Sequence, residues 1–436
     1  MFGKLKIVLL ALVVFCGGFI YGYFSYRNKL FPYGLRTYIN ETIFQSKPHN
    51  VILWSRAREA DSSQKMTSEQ SEEISKLTTL GYLSGYKKAP SAKGVVVNNR
   101  KLTYNGYNFY TSGHAPEAIL MDMEGNVLHT WSYEGRNVWP EKRTPDQSRG
   151  WWRRADLFDN GEVLAIFDYH GLIKLDKDSN LLWSYANGCH HDLQVMNDGR
   201  IYVLTSELKS NSHVREGDSI LEDYITVLNA NGKLIERISI IDAFGNSKYA
   251  PLLDRIPLGK DIFHTNTIEV LDGRLQAQSA AFKAGNVLIS LRNIDVIAVI
   301  DMELEKVVWA LSGMWKKQHQ PTVLNNGNIL LFDNQGNHGH SKVIEFNPFT
   351  QEVVWEYPGD ETSDFSSFLL GSNQRLPNGN TLITESTFGR ALEVTPDKKI
   401  VWEFLNPKRA GQNNELIAVV SDMVRMEPDL PLDWLK

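Results

Sequence analysis

Beyond Gly94 the hydrophobic residues of this chain fall in short runs punctuated by glycine turns, and the unit of run and turn repeats. Its fullest form reads Asn-Gly-Asn, an apolar strand, a gap, a second apolar strand, Asp or Pro with Gly or Lys, then Val-Val-Trp. NGEVLAIFDYHGLIKLDKDSNLLW, GNVLISLRNIDVIAVIDMELEKVVW, NGNILLFDNQGNHGHSKVIEFNPFTQEVVW and NGNTLITESTFGRALEVTPDKKIVW close on Trp183, Trp309, Trp355 and Trp402. AILMDMEGNVLHTW is an early copy ending at Trp131, and DGRIYVLTSE through ITVLNANGKLIERI is a stretched copy with Glu236 in the tryptophan slot. Four strands in each of six copies predict an all-β, six-bladed β-propeller, with the tryptophans packed between blades.

The N-terminus follows a different pattern. Lys4 and Lys6 precede an almost uninterrupted apolar run over 7–24, long enough to cross a bilayer as a helix. Tyr21, Tyr23, Phe24 and Tyr26 follow where a cleaved signal would need small residues, so the run reads as an uncleaved anchor with an aromatic belt. The expected organisation is a cytoplasmic end and transmembrane anchor over 1–27, a polar helical stalk over 28–93, and the propeller over 94–436. Cys16 falls inside the anchor and Cys189 in the body, which leaves no intramolecular disulfide. Lysines and arginines flank the run about equally, so charge does not set the orientation.

Composition narrows the function classes. Of 436 residues 42% are hydrophobic and 22% charged, the balance of a chain with a large core. A net charge of −5 without any basic run gives no electrostatic drive toward phosphate backbones and excludes nucleic-acid binding.

The candidate chemistry lies in the repeats. HDLQVMNDG, HTNTIEVLDG and HQPTVLNNG each open on a histidine (His191, His264, His319) and reach a glycine turn eight or nine residues later. Equivalent positions of a propeller converge on its axis, so the three imidazoles are expected in one pocket. Strand direction places Arg292 beside His264, Asp333 and Asn334 near His319, Ser206 near His191, and Arg153 on the same ring; Gly371 occupies the slot in the last blade. His190, His338 and His340 fall outside the register and read as structural or solvated. Three imidazoles suit zinc, but an arginine beside a dication is repelled. Arginine with neutral histidines suits a tetrahedral oxyanion instead: guanidinium recognition, one imidazole as nucleophile, the others for proton transfer. No metal and no cofactor is expected.

The segments CHHDLQVMNDGRIYVL, FHTNTIEVL, SLRNIDVIAVID and KKQHQPTVLNNGNILLFDNQG resemble bacterial arylsulfate sulfotransferases, which work without phosphoadenosine phosphosulfate. That resemblance implies an exported six-bladed propeller that moves a sulfuryl group from a phenolic sulfate ester to another phenol through a sulfated histidine. Carried over by position, His319 in QHQPT is the nucleophile, and His191, His264 and Arg292 hold the sulfuryl oxygens and shuttle the phenolic proton. Asn266, Asp333, Asn334 and Arg153 complete the expected substrate contacts. It also implies a domain on the periplasmic or extracytoplasmic side of the membrane. The chain departs from the family's soluble, disulfide-bearing members in its anchor and in lacking a cysteine pair.

Two other readings remain in the sequence. A metal-dependent propeller hydrolase would want a carboxylate-rich axial ring, against the His and Arg found here. A non-catalytic, membrane-tethered binding or assembly module uses the same repeats.

Overall fold

A computed structural model of the chain describes residues 87–139, 150–210, 219–359, 365–410 and 414–435. The anchor expected over 1–27, with Cys16, and most of the 28–93 stalk lie outside those residues. Among the described residues no helix is long and apolar enough to cross a membrane.

The repeats form six four-stranded antiparallel blades. Blade 2 runs outward through Arg154–Leu157, Val163–Phe167, Gly171–Leu175 and Leu181–Tyr185. Blade 3 contains Cys189–Val195, Ile201–Ser210, Ser219–Leu228 and Leu234–Ser239. Blade 4 contains Thr265–Val270, Val287–Leu291, Val296–Asp301 and Lys306–Ser312. Blade 5 contains His319–Val323, Ile329–Asn337, His340–Phe346 and Val353–Tyr357. Blade 6 contains Ser372–Arg375, Thr381–Glu385, Arg390–Val394 and Ile400–Leu405, with Gly94–Asn98 added at its outer edge.

Blade 1 is assembled from both ends of the body. Tyr107–Ser112, Glu117–Met121 and Val127–Ser132 supply its outer three strands, and Val420–Met426 pairs with Tyr107–Ser112 as the innermost. The chain's early copy of the repeat therefore lacks its own inner strand, and the C-terminus closes the disc. Just before Gly94 the chain already touches the body: Ala89 N–H donates to Glu415 O at 2.6 Å, and Arg409 donates to Ala92 O at 2.8 Å.

The second strands are apolar on both faces because each blade is covered by neighbours on both sides; Val163–Phe167 and Val287–Leu291 are buried throughout. Inner hairpins turn on Gly161, Gly199, Gly285, Gly327 and Gly379, all with φ between 81° and 88°, where a side chain would be strained. The repeated tryptophans bridge blades as expected. Trp131 donates its indole N–H to Gly161 O of blade 2 at 2.9 Å, and Trp402 donates to Met123 O of blade 1 at 3.0 Å.

Hydrogen bonds between inner strands staple the ring all the way round. Arg154 of blade 2 meets Asp192 of blade 3 at 3.0 Å and Asp422 of blade 1 at 3.6 Å. Asp192 and Gln194 accept from the backbone N–H groups of Ile268 and Val270 in blade 4. Thr267 and Glu269 accept from Gln320 and Val323 in blade 5. Asn373 donates to Gln320 O, and Gln374 exchanges two bonds with the Arg425 backbone in blade 1.

Candidate functional site

The register of the inner strands fixes which residues stand level with one another. Each inner hairpin closes with a backbone bond donated by Phe158, Met196, Leu271, Leu324 or Leu376. Counting five residues back from each gives Arg153, His191, Asn266, His319 and Gly371. These five, with Ser421 from the C-terminal strand, line one axial cavity of about 260 Å³, its open mouth included. The ring thus contains two histidines, and its blade 4 member is Asn266. His264, read from sequence as level with the other two, lies two residues upstream of the ring position and is not among the residues that line the cavity.

His264 nonetheless joins the cluster. Its Nε2 lies 3.1 Å from Nε2 of His191, and its Nδ1 lies 2.5 Å from an Asp261 carboxylate oxygen. The carboxylate accepts, so Nδ1 carries a proton, and one further proton is shared between the two Nε2 atoms. Burial works against the Asp261 charge, but the bond from His264 holds the carboxyl below its ordinary range. His191 and His264 both have left-handed backbones, φ 54° and 52°, a conformation that costs about 1–3 kcal/mol in a non-glycine residue.

His319 is held differently. Its Nδ1 lies 2.7 Å from Asn334 Oδ1 and 3.1 Å from Lys317 O. The Asn334 amide is fixed in turn, because its Nδ2 donates to Ser367 O at 2.6 Å and Leu370 O at 2.7 Å. Both neighbours of Nδ1 are acceptors, so Nδ1 bears the hydrogen and Nε2 keeps its lone pair toward the cavity. Burial, then the positive charges of Arg292 and Arg153, press the His319 imidazole well below the usual histidine range. Burial, then His264 and Arg153, do the same to His191.

Arg153 is buried, and its Nε has no hydrogen-bond partner among the described residues. Arg292 follows the second strand of blade 4, where its backbone N–H donates to His264 O at 3.4 Å and its guanidinium to Asn293 at 3.1 Å. Asn266 is tied to Gln318 O at 2.8 Å. Asp333 faces away from the cavity: it accepts from the backbone of Lys316 and Gly336, so it shapes the loop before His319. Ser206, expected beside His191, stands opposite Asp223 in the strand pairing.

Sequence reasoning missed two groups. Asp261 lies in the loop before blade 4 and is signalled only by its place three residues ahead of His264. His190, set aside as structural, places its Nδ1 2.9 Å from Nδ1 of His191. Among the described residues no group of three or more His, Cys, Asp or Glu is arranged to hold a metal ion.

The solved structure of a Bacteroides caccae protein of unknown function is 13% identical and matches 73% of this chain and 98% of its own at a TM-score of 0.48. A streptogramin B lyase is 14% identical over 79% of this chain and 96% of its own, with a TM-score of 0.43. The Staphylococcus aureus virginiamycin B lyase is 11% identical over 58% of this chain and 69% of its own, with a TM-score of 0.36. Likenesses this distant carry no activity across. Among curated proteins none matches the chain. The model of the family Arylsulfotransferase (ASST) matches residues 154–407, a span that holds His191, His264, Arg292 and His319. The chain belongs to the arylsulfotransferase (ASST) family.

Proposed function

We propose that the protein transfers a sulfuryl group from a phenolic sulfate ester to another phenol, with His319 as the group that carries it between them. The observation that carries this reading is the state of His319: a buried imidazole, neutral under cationic pressure, with Nδ1 tied to Asn334 and Nε2 free at the axis.

In the first half-reaction the Nε2 lone pair attacks sulfur in line. The bond from sulfur to the phenolic oxygen breaks, and its electron pair leaves with that oxygen. Arg153 and Arg292 supply positive charge for the equatorial sulfuryl oxygens, and Asn266 lines the same cavity. The proton between His191 and His264 passes to the leaving oxygen, with Asp261 holding His264 in place. A second phenol then enters, returns a proton, and takes the sulfuryl group. Two half-reactions through one site require ping-pong kinetics.

The apolar run over 7–24 belongs to the same proposal, as an anchor holding the propeller on the extracytoplasmic face of the membrane. A direct test incubates the purified body with a chromogenic phenyl sulfate, with and without a phenol acceptor. The reading requires steady phenol release that depends on the acceptor. Release at the same rate without acceptor would point to hydrolysis, and none in either case would point to a binding module.

A further inference from the structure

Transfer in two halves raises a problem of proton custody. The first half delivers a proton to the departing phenol, the second recovers one from the acceptor, and the sulfated intermediate stands between them. Behind His191, on the side away from the cavity, the structure continues the hydrogen-bonded chain into the protein.

The tautomers along that chain follow from its fixed end. Asp261 accepts from Nδ1 of His264, so a neutral His264 offers a lone pair at Nε2. His191 must then donate from Nε2, which leaves its Nδ1 to accept across 2.9 Å from Nδ1 of His190. His190 donates there and presents a lone pair at Nε2. That atom is buried without a hydrogen-bond partner among the described residues, and Oδ1 of Asp223 stands 3.5 Å from it, the one link longer than an ordinary hydrogen bond. Only a protonated Asp223 gives this lone pair a donor.

We propose that His190 and Asp223 are the closed end of a proton store, which supplies the leaving phenol through His191 and recovers the same proton from the acceptor. The proposal rests on the sulfotransferase reading of the site. The two residues are positioning groups, since neither reaches the cavity: the side chains of His190 and Asp223 are 0% and 2% exposed.

The steps balance. An O–H bond forms on the phenolate as the Nε2–H bond of His191 breaks. The Nδ1 proton of His190 moves to Nδ1 of His191, and the Asp223 proton moves to Nε2 of His190. Asp223 ends as a carboxylate and the imidazoles of His190 and His191 end neutral, while His319 keeps its Nδ1 hydrogen on Asn334, the positive charge of its sulfated ring offset by the negative charge of the sulfuryl group; the acceptor phenol reverses each step.

The surroundings suit a store. Burial, opposed by a backbone bond from Thr265, pushes the Asp223 carboxyl up to about 7, with the charge of Asp261 adding to the rise and His264 opposing it. Burial pulls His190 down to about 4, against the charges of Asp168 and Asp261 and a backbone bond at Thr205 and with the charge of His264 adding to the fall, which favours the proton on the carboxyl. Tyr169 stacks over the His190 ring at 5.1 Å.

The test is proton stoichiometry during formation of the covalent adduct. The purified full-length protein is mixed rapidly with phenyl sulfate, without acceptor, in weak buffer carrying a pH indicator, while phenol and adduct are quantified. The leaving phenol titrates at about 10 and departs neutral. At about pH 6, below the Asp223 value, adduct formation should draw no proton from solvent within the burst. At about pH 9, where the store is empty, it should draw one per adduct. Asp223→Asn should draw one per adduct at both pH values, and its burst at about pH 6 should slow at least about tenfold. Full uptake by the wild-type protein at the lower pH would overturn the store while leaving the transferase reading intact. So would an Asp223→Asn protein that forms adduct without uptake. Absence of any phenol burst would overturn both. The two wild-type measurements decide the matter even where the variant does not fold.

Discussion

Asn334 Oδ1 accepts the Nδ1 hydrogen of His319 over 2.7 Å, and the same amide gives both its hydrogens to the carbonyls of Ser367 and Leu370. One side chain thereby fixes a ring orientation, a tautomer and the loop before blade 6. Asn334→Ala should slow adduct formation by about 10²-fold by freeing the tautomer. It should also cost about 1–3 kcal/mol of stability, because the Leu370 carbonyl loses its donor and that of Ser367 keeps only a 3.4 Å bond from the Ser341 hydroxyl. Burst kinetics and thermal unfolding read the two effects separately. A variant with an unchanged burst would show that Asn334 serves only the fold.

Burial and two arginines keep His319 uncharged where an ordinary histidine would protonate. A lowered pKa means the nucleophile is retained as pH falls, so the burst rate should show no acid limb near 6.5. An unperturbed histidine would lose about tenfold per pH unit below that value. Burst measurements from about pH 8 down to about 5.5 check this, and a loss of rate toward acid with a midpoint near 6.5 would contradict it.

The C-terminal strand Val420–Met426 is both the inner strand of blade 1 and the carrier of Arg425, whose guanidinium pairs with Glu393 at 2.9 Å with both side chains 0% exposed. Ending the chain after Val419 would remove Ser421 from the axial ring, open the disc and leave Glu393 buried without its cation, a loss of about 3–5 kcal/mol from that pair alone. The truncated protein should show no cooperative thermal transition. Removal of residues before Lys87 should by contrast leave the transition intact, because the propeller strands begin at Gly94. A stable protein without the last strand would contradict this account of closure.

Activity should also survive exhaustive chelation. Nε2 of His191 and of His264 are engaged with one another and Nδ1 of His264 with Asp261, which leaves Nε2 of His319 as a single free imidazole nitrogen, and two guanidinium groups oppose a dication there. Activity lost on chelation and restored by one particular metal would require a different mechanism.

Much of this was legible in the sequence. Repeated glycine turns and terminal tryptophans report blade count directly, because each blade needs the same turn and the same packing against its neighbour. Arg153, His191, His319 and Gly371 share one level, as their spacing implies. His264 misled because blade 4 closes its inner hairpin through a bond from Leu271 to Asn286, across a long excursion, so Gly273 does not measure the same distance as Gly199 or Gly327. The closing strand was hidden because VSDMVRM carries no glycine turn or tryptophan of its own and pairs with residues more than 300 positions earlier. Asp261 was hidden because loops carry no period, and the engagement of His190 because it stands in the strand Cys189–Val195 one residue off the ring position.

The central claim is that His319 holds the sulfuryl group, and the mass of the protein tests it most directly. After incubation with an aryl sulfate donor and no acceptor, the intact body should gain one sulfuryl unit, located on the peptide containing QHQPT. His319→Ala should abolish both the adduct and turnover. His191→Ala, His264→Ala and Arg292→Ala should slow turnover by about 10²–10⁴-fold yet retain traces of adduct. An adduct on His191 or His264, or a His319→Ala protein that transfers sulfate at a comparable rate, would contradict the account.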